Sequence, residues 1–434
     1  MQTASKKVIN GWSMYDWANS AYNLVITSTI FPAYYDAITA TKNAKGEVID
    51  HTVNFLGWHV SSGSLYTYAI AFAYLVIAIL SPILSSIADT RGDKKSFLKL
   101  FCFLGSISCC LLYFFTADRL VLGIVCCIIA AIGYCGSLVF YNAYLPEIAA
   151  PADQDKVSAK GFSLGYIGSV ILQILCFVLI IKLPFGLNEG GASRLSFLLV
   201  GLWWIGFAQI TFATLPQKKK QILTATKEKV SSGFTALKIV WQEIKQMPVL
   251  RNYLFSFFFY SMGVQTVMLA AALFGSQVIH VPTDKLILSI LIIQVVAIIG
   301  AYLMAKLSSI FGNIRVLIFT VVIWIGICAL AYYITSINGF YIVATLVGIV
   351  MGGIQSLSRS TYAKLMPETE NTASFFSFYD VTEKIAIVIG MFSFGFIQEL
   401  TGSMRNSIVA LISFFFVGLV GLFITRKQQK KLGI

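Results

Sequence analysis

LPQKKKQILTATKEKVSSGFTALKIVWQEIKQMP, residues 215–248, is a long basic interval in a chain built mostly of apolar runs. Six such runs precede it and six follow. The chain is 57% hydrophobic and 12% charged, whereas a soluble domain is about half apolar and about a quarter charged. Runs of roughly 20 apolar residues are long enough to cross a bilayer. Backbone polar groups in lipid must be satisfied within each segment, so the runs read as helices. The expectation is an all-α membrane protein with twelve spans, near 10–38, 62–88, 97–116, 120–145, 159–182, 194–215, 249–279, 284–308, 314–335, 338–364, 374–398 and 405–425. It divides into a first six-helix half (1–216), a basic linker (217–248) and a second six-helix half with a tail (249–434).

Charge gives the orientation. The net charge is +13, and in a membrane protein such an excess belongs to cytoplasmic loops rather than to nucleic-acid binding. With the N-terminus inside, the inner set is Lys6, Lys7, Arg91, Lys94, Lys95, Lys99, Lys156, Lys160, the run from Lys218 to Arg251, Lys306, Arg315, Arg426, Lys427, Lys430 and Lys431. The outer set is Lys42, Lys45, Arg119, Lys182, Arg194, Lys285 and Arg405. Both termini are therefore expected in the cytoplasm, with the protein in the cell (inner) membrane and the first apolar run kept as a span rather than cleaved. The second part of the linker could lie as a helix on the membrane surface or be a solvated connector.

The two halves resemble each other. Span 4 ends YNAYLPE and span 10 ends TYAKLMPE, placing Pro146 and Pro367 at an offset of 221 (367 − 146). Gly92 follows span 2 and Gly312 follows span 8, at an offset of 220 (312 − 92). Two agreeing offsets point to a duplicated six-span unit.

The loop SPILSSIADTRGDKKSF (81–97) resembles the signature between spans 2 and 3 of the major facilitator superfamily, Gly-x-x-x-Asp-Arg-x-Gly-Arg-Lys-Lys. Asp89, Gly92, Lys94 and Lys95 match. Ser85, Thr90 and Asp93 replace the first Gly and the two Arg. YDWANSAY (15–22), GGIQSLSRSTYAKLMP (352–367) and FFSFYDVTEKIA (375–386) resemble the autophagy-related vacuolar amino-acid effluxers, a branch of that superfamily with many bacterial members. The resemblance implies the major facilitator fold, a latch at Asp89 and Gly92, a lipid-facing set of spans 3, 6, 9 and 12, and amino acids or similar small polar solutes as cargo.

Asp16, Asn19, Ser20, Asn23 and Thr27 share one face of a helix at 3.6 residues per turn. A charge in the bilayer core costs at least ~2.5–3.5 kcal/mol, so such residues face a bundle interior or water. Tyr166, Ser169 and Gln173 on span 5, Tyr260, Ser261, Gln265 and Thr266 on span 7, and Gln355, Ser358, Arg359 and Tyr362 on span 10 form further stripes. The cavity is expected to be lined by Asn19, Ser20, Asn23, Tyr166, Gln173, Gln265 and Gln355. Coupling or gating is expected at Asp16, Asp89, Gly92, Arg359, Asp380, Glu383 and Lys384, with Asp16, Asp380 and Glu383 as titrating groups. Arg359, Asp380, Glu383 and Lys384 should form one network reaching Asp16. Its alternative is a local Asp380–Lys384 pair, since four residues separate them on one helix face.

No Gly-Lys dipeptide occurs, so there is no phosphate loop. The eight cysteines lie in apolar runs, and His51, His59 and His280 lie outside the spans with no ligand spacing. No enzyme, cofactor or metal is expected. The reading is a monomeric secondary transporter that moves a small polar solute through the lipid bilayer by alternating access, with protons as the coupling ion. Sugars, drugs or cell-wall fragments stay open as cargo, as does a transporter-like sensor without flux.

Overall fold

The computed structural model describes residues 2–42, 48–216 and 233–433. Lys45 and the basic run from Lys218 to Lys229 lie outside the described residues. The chain is all-helical in its membrane part. Ten described helices are long and apolar enough to cross a membrane: Ser62–Arg91 (span 2), Lys94–Phe114 (3), Ala117–Ile148 (4), Gln154–Lys182 (5), Glu189–Thr214 (6), Pro248–Gln277 (7), Lys285–Phe311 (8), Asn313–Tyr333 (9), Ile337–Leu365 (10) and Met404–Leu432 (12). Span 11 is the helix Thr372–Thr401, which carries Asp380, Glu383 and Lys384. Several helices begin before their apolar runs. Span 5 starts at Gln154, not near 159, because a helix extends past the hydrocarbon into its polar flanks.

Span 1 departs from a regular helix. It runs as α-helix over Lys6–Ala21, as π-helix over Tyr22–Thr29, and as α-helix again over Ile30–Thr39. The hydroxyls of Ser28 and Thr29 donate to the carbonyls of Asn23 and Leu24, five residues back. The polar stripe therefore holds its 3.6-residue spacing through Ser20 and drifts beyond it. Asp16 and Asn19 are buried, whereas Asn23 and Thr27 are half-buried.

Each half repeats one packing plan. Span 1 packs on spans 5 and 6, span 2 on 4, and span 3 on 4 and 6. The same pairs recur six spans later: 7 on 11 and 12, 8 on 10, and 9 on 10 and 12. Between the halves, span 5 meets spans 8 and 10, and span 11 meets spans 2 and 4, which is the same contact exchanged. The principal contacts of spans 3, 6, 9 and 12 stay within their own halves. The lipid-facing set is nonetheless broader than those four. Span 2 also exposes Tyr68, Phe72, Leu75 and Ile79, and span 8 exposes Ile299, Tyr302 and Ile310.

Two features lie outside the spans, and only the first left no mark in the apolar pattern. The loop between spans 1 and 2 carries two antiparallel strand pairs, β1 (Thr41–Lys42) with β2 (Val48–Asp50) and β3 (Thr52–Phe55) with β4 (Trp58–Ser61). The helix expected in the second part of the linker forms over Gly233–Gln246 and docks on spans 2, 7 and 11. Val240 and Ile244 are buried, and the Trp241 ring stacks on Phe378 at 5.8 Å.

Candidate functional site

The loops carrying most of the basic residues gather at one end of the bundle, here the basic end. Asp89, the last acid of span 2, reaches across to the start of span 11. Its carboxylate accepts the backbone N–H of Ala373 at 3.2 Å and of Ser374 at 2.8 Å, and the Ser374 hydroxyl at 2.7 Å. The first N–H groups of any helix have no partner within it, and a carboxylate there is favoured by the helix dipole. Here that cap comes from the opposite half of the chain. Lys94 sits 3.3 Å from Asp89 and also pairs with Glu147 and Thr372. Gly92 makes the turn that brings these groups together, with φ of 64°. The replaced motif positions bond within their own segment: Ser85 donates to the Pro82 carbonyl at 3.1 Å, Thr90 to the Ser86 carbonyl at 2.8 Å, and Asp93 caps its own helix by accepting the Ser96 hydroxyl at 2.7 Å. The matching Lys95 donates to the Leu215 carbonyl at 3.0 Å.

A second cluster, invisible as a motif, mirrors the first. Asp155 at the start of span 5 accepts from Ser308 at 2.8 Å, Asn313 at 2.7 Å and Lys364 at 2.6 Å. These partners lie on spans 8, 9 and 10, so this cluster also bridges the halves.

Deeper in the bundle, Arg359 does not join Asp380. It enters the first half and lies 3.3 Å from Asp16. All its N–H groups find acceptors: Nε donates to Ser158 Oγ at 2.9 Å, Nη1 to Asp16 and to Asn142 at 3.2 Å, and Nη2 to Asp16 and to the Ser158 carbonyl at 2.9 Å. The Tyr141 hydroxyl donates to the same Asp16 oxygen at 2.7 Å. Gly161 packs against them, and a Cβ there would meet Asp16, Arg359 and Tyr141 and force them to shift.

Asp380, Glu383 and Lys384 form a separate group on span 11. Lys384 lies 3.3 Å from Asp380 and 3.5 Å from Glu383, and Gln265 of span 7 donates to Glu383 at 2.9 Å. The ammonium also sits over the ring of Tyr74 on span 2, at 5.6 Å. The single network expected from the sequence is thus two networks, because Arg359 points from span 10 towards spans 1, 4 and 5. The local Asp380–Lys384 pair of the alternative is present, and it is buried. Both side chains are 8% exposed, while Glu383 is 22% exposed. One oxygen of Asp380 is buried without a partner.

The remaining expected residues divide. Tyr166 donates to Gln355 across the halves at 2.7 Å. Gln173 accepts from Thr29 at 2.9 Å within the first half. Asn19 is buried with its amide nitrogen unpartnered. Ser20 packs beside Gly165, and Asn23, Gln265 and Gln355 are half-buried. Among the described residues, the hydrogen bonds that join the halves gather towards the basic end, which is closed. A cavity of about 910 Å³ lies outside that closure, lined by Asp89, Lys94, Glu147 and Glu368 among others. It is a vestibule, remote from Gln265 and Glu383. No group of described residues has the makings of a metal site.

Comparison with known proteins agrees with this architecture. The family model described as "Vacuole effluxer Atg22 like" matches residues 4–432. The chain is 32% identical over 420 residues to the uncharacterized MFS-type transporter YxiO of Bacillus subtilis (strain 168), covering 95% of this chain and 93% of that one. It is 26% identical to autophagy-related protein 22 of Eremothecium gossypii, covering 95% and 89%. The fold is similar to that of the E. coli fucose:proton symporter FucP, with a TM-score of 0.68 at 16% identity over 96% of this chain and 97% of that one. The chain belongs to the vacuole effluxer Atg22-like family of the major facilitator superfamily.

Proposed function

We propose that this protein carries a small zwitterion of the amino-acid type across the membrane, driven by protons that bind at the Asp380–Glu383–Lys384 group. Membership of the superfamily makes the chain a secondary active transporter of a small solute and not an enzyme. The finer reading rests on one observation: a carboxylate and an ammonium, Glu383 and Lys384, stand side by side between the halves, with Glu383 less buried than its neighbours. A zwitterion needs one group of each sign, and Gln265 adds a polar contact at the same place. The name of the fucose:proton symporter fits a proton as the driving ion.

Charge counting selects the proton carrier. Asp16 is matched one to one by Arg359. Asp380 and Glu383 share a single ammonium. A surplus buried negative charge is expensive at membrane depth, so a proton on one of the two carboxylates completes the balance. Asp16 is then a gating residue rather than a titrating one. In this reading the two six-helix halves rock about the midplane, the basic end faces the cytoplasm, and its closure by Asp89, Asp155 and Asp16 alternates with opening.

The test is solute flux in proteoliposomes, preceded by a thermal-shift screen. L-Amino acids should stabilise the purified protein, since a ligand of the folded state raises its apparent stability. Stabilisation by sugars or peptidoglycan fragments alone would reassign the cargo. Stabilisation without flux would make the chain a sensor.

A further inference from the structure

The hydrogen-bond acceptors and ring faces that hold the Arg359 guanidinium belong to the first half of the chain. Trp12 on span 1, Tyr141 on span 4 and Phe162 on span 5 present their rings to the guanidinium, with centroids at 4.9, 5.5 and 4.3 Å. Asp16, Ser158 and Asn142 supply the oxygen acceptors. These groups also hold one another. Trp12 stacks on Tyr141 with centroids 4.4 Å apart, its indole N–H donates to the Tyr141 carbonyl at 2.9 Å, and the Tyr141 hydroxyl is tied to Asp16. Only the cation comes from the second half.

Opening of the basic end must carry span 10 away from spans 1, 4 and 5, and Arg359 leaves with it. What remains is a self-supported aromatic cage with a carboxylate and no counter-ion. Ring faces attract organic cations, and an uncompensated carboxylate at this depth is costly. A hard cation such as Ca²⁺ wants six to eight oxygen ligands, and three ring faces deny it most of them. An anion is excluded by Asp16.

We propose that this cage is a second ligand site, exposed when the basic end opens, which takes an ammonium or guanidinium group in the place Arg359 vacates. The inference rests on the alternating-access reading given above. Arg359 is then a tethered competitor of the ligand. Occupation of the cage holds the basic end open, and release lets Arg359 return and close it. A ligand with such a preference for one state shifts the equilibrium towards that state. The ammonium of a departing or arriving zwitterion has the required chemistry.

Methylguanidinium chloride is the probe, and sodium chloride at equal concentration is the control. In purified full-length Arg359→Ala the cage is empty, and millimolar methylguanidinium should raise the melting temperature saturably, by about 2 °C or more. Wild type, with Arg359 in place, should respond far less. The double variant Asp16→Asn/Arg359→Ala should lose the response. No saturable shift in Arg359→Ala, or an equal shift in the double variant or with sodium chloride, overturns the proposal. If Arg359→Ala does not fold, methylguanidinium applied at the basic end should inhibit wild-type flux, and Phe162→Leu should raise its inhibition constant about tenfold; an unchanged constant overturns the proposal. The stability readout needs no flux. Binding in the cage by a protein that moves no solute would therefore sink the transport reading and leave this one standing.

Discussion

Arg359 on span 10 and Asp16 on span 1 lie 3.3 Å apart, and the two come from opposite halves of the chain. They form an ion pair that must break whenever the halves part at the basic end. Both side chains are almost fully buried, at 4% and 7% exposure. Removing one partner of a buried pair leaves the other charge uncompensated, at about 3–5 kcal/mol. Asp16→Asn and Arg359→Met should each lower the melting temperature of the purified protein. The double variant should be hurt much less than the two losses added together. Strict additivity would mean the two residues act independently.

Asp89 caps a helix of the other half, so its loss should act on closure and not on the solute site. Asp89→Ala removes an interhelix cap of about 1–2 kcal/mol. It should raise labelling of a cysteine placed at Ser377 from the basic end. It should also slow flux more than it weakens solute binding. A large loss of affinity with normal turnover would contradict this.

A side chain at Gly161 would displace the closed Asp16–Arg359 pair. Gly161→Val should therefore bias the protein towards the state open at the basic end, with faster labelling of a cysteine at Ser158 from that side. Unchanged labelling and unchanged flux would show that the pair can shift to accommodate a Cβ.

The charge bias predicts a membrane orientation with the basic end in the cytoplasm. In an otherwise cysteine-free protein, a cysteine at Lys285 should react with an impermeant thiol reagent outside sealed cells, and one at Lys430 should not. The reverse pattern would invert the topology.

Much of the fold was readable because apolar length and loop charge are properties of single segments. The repeated Pro-Glu after spans 4 and 10 and the paired turn glycines pointed to the duplication that the exchanged contacts of spans 5 and 11 display. The site was less readable, because its pairs join distant spans. Arg359 and Asp380 look like partners by sequence distance, yet Arg359 meets Asp16 on span 1. Asp155 stood in no motif, and only the fold shows that Ser308, Asn313 and Lys364 converge on it. Trp12 and Phe162 read as ordinary apolar residues until a cation is found between them. The π-helical stretch in span 1 left no mark in the apolar pattern.

The most direct test of the transport account is uptake of radiolabelled L-amino acids into proteoliposomes under an imposed pH gradient. Two carboxylates share one ammonium on span 11, so the account predicts accumulation above the external concentration in wild type. It predicts equilibration without accumulation in Asp380→Asn and Glu383→Gln, and retained pH dependence in Asp16→Asn. Accumulation that ignores the pH gradient, or that survives both span 11 variants, would contradict it.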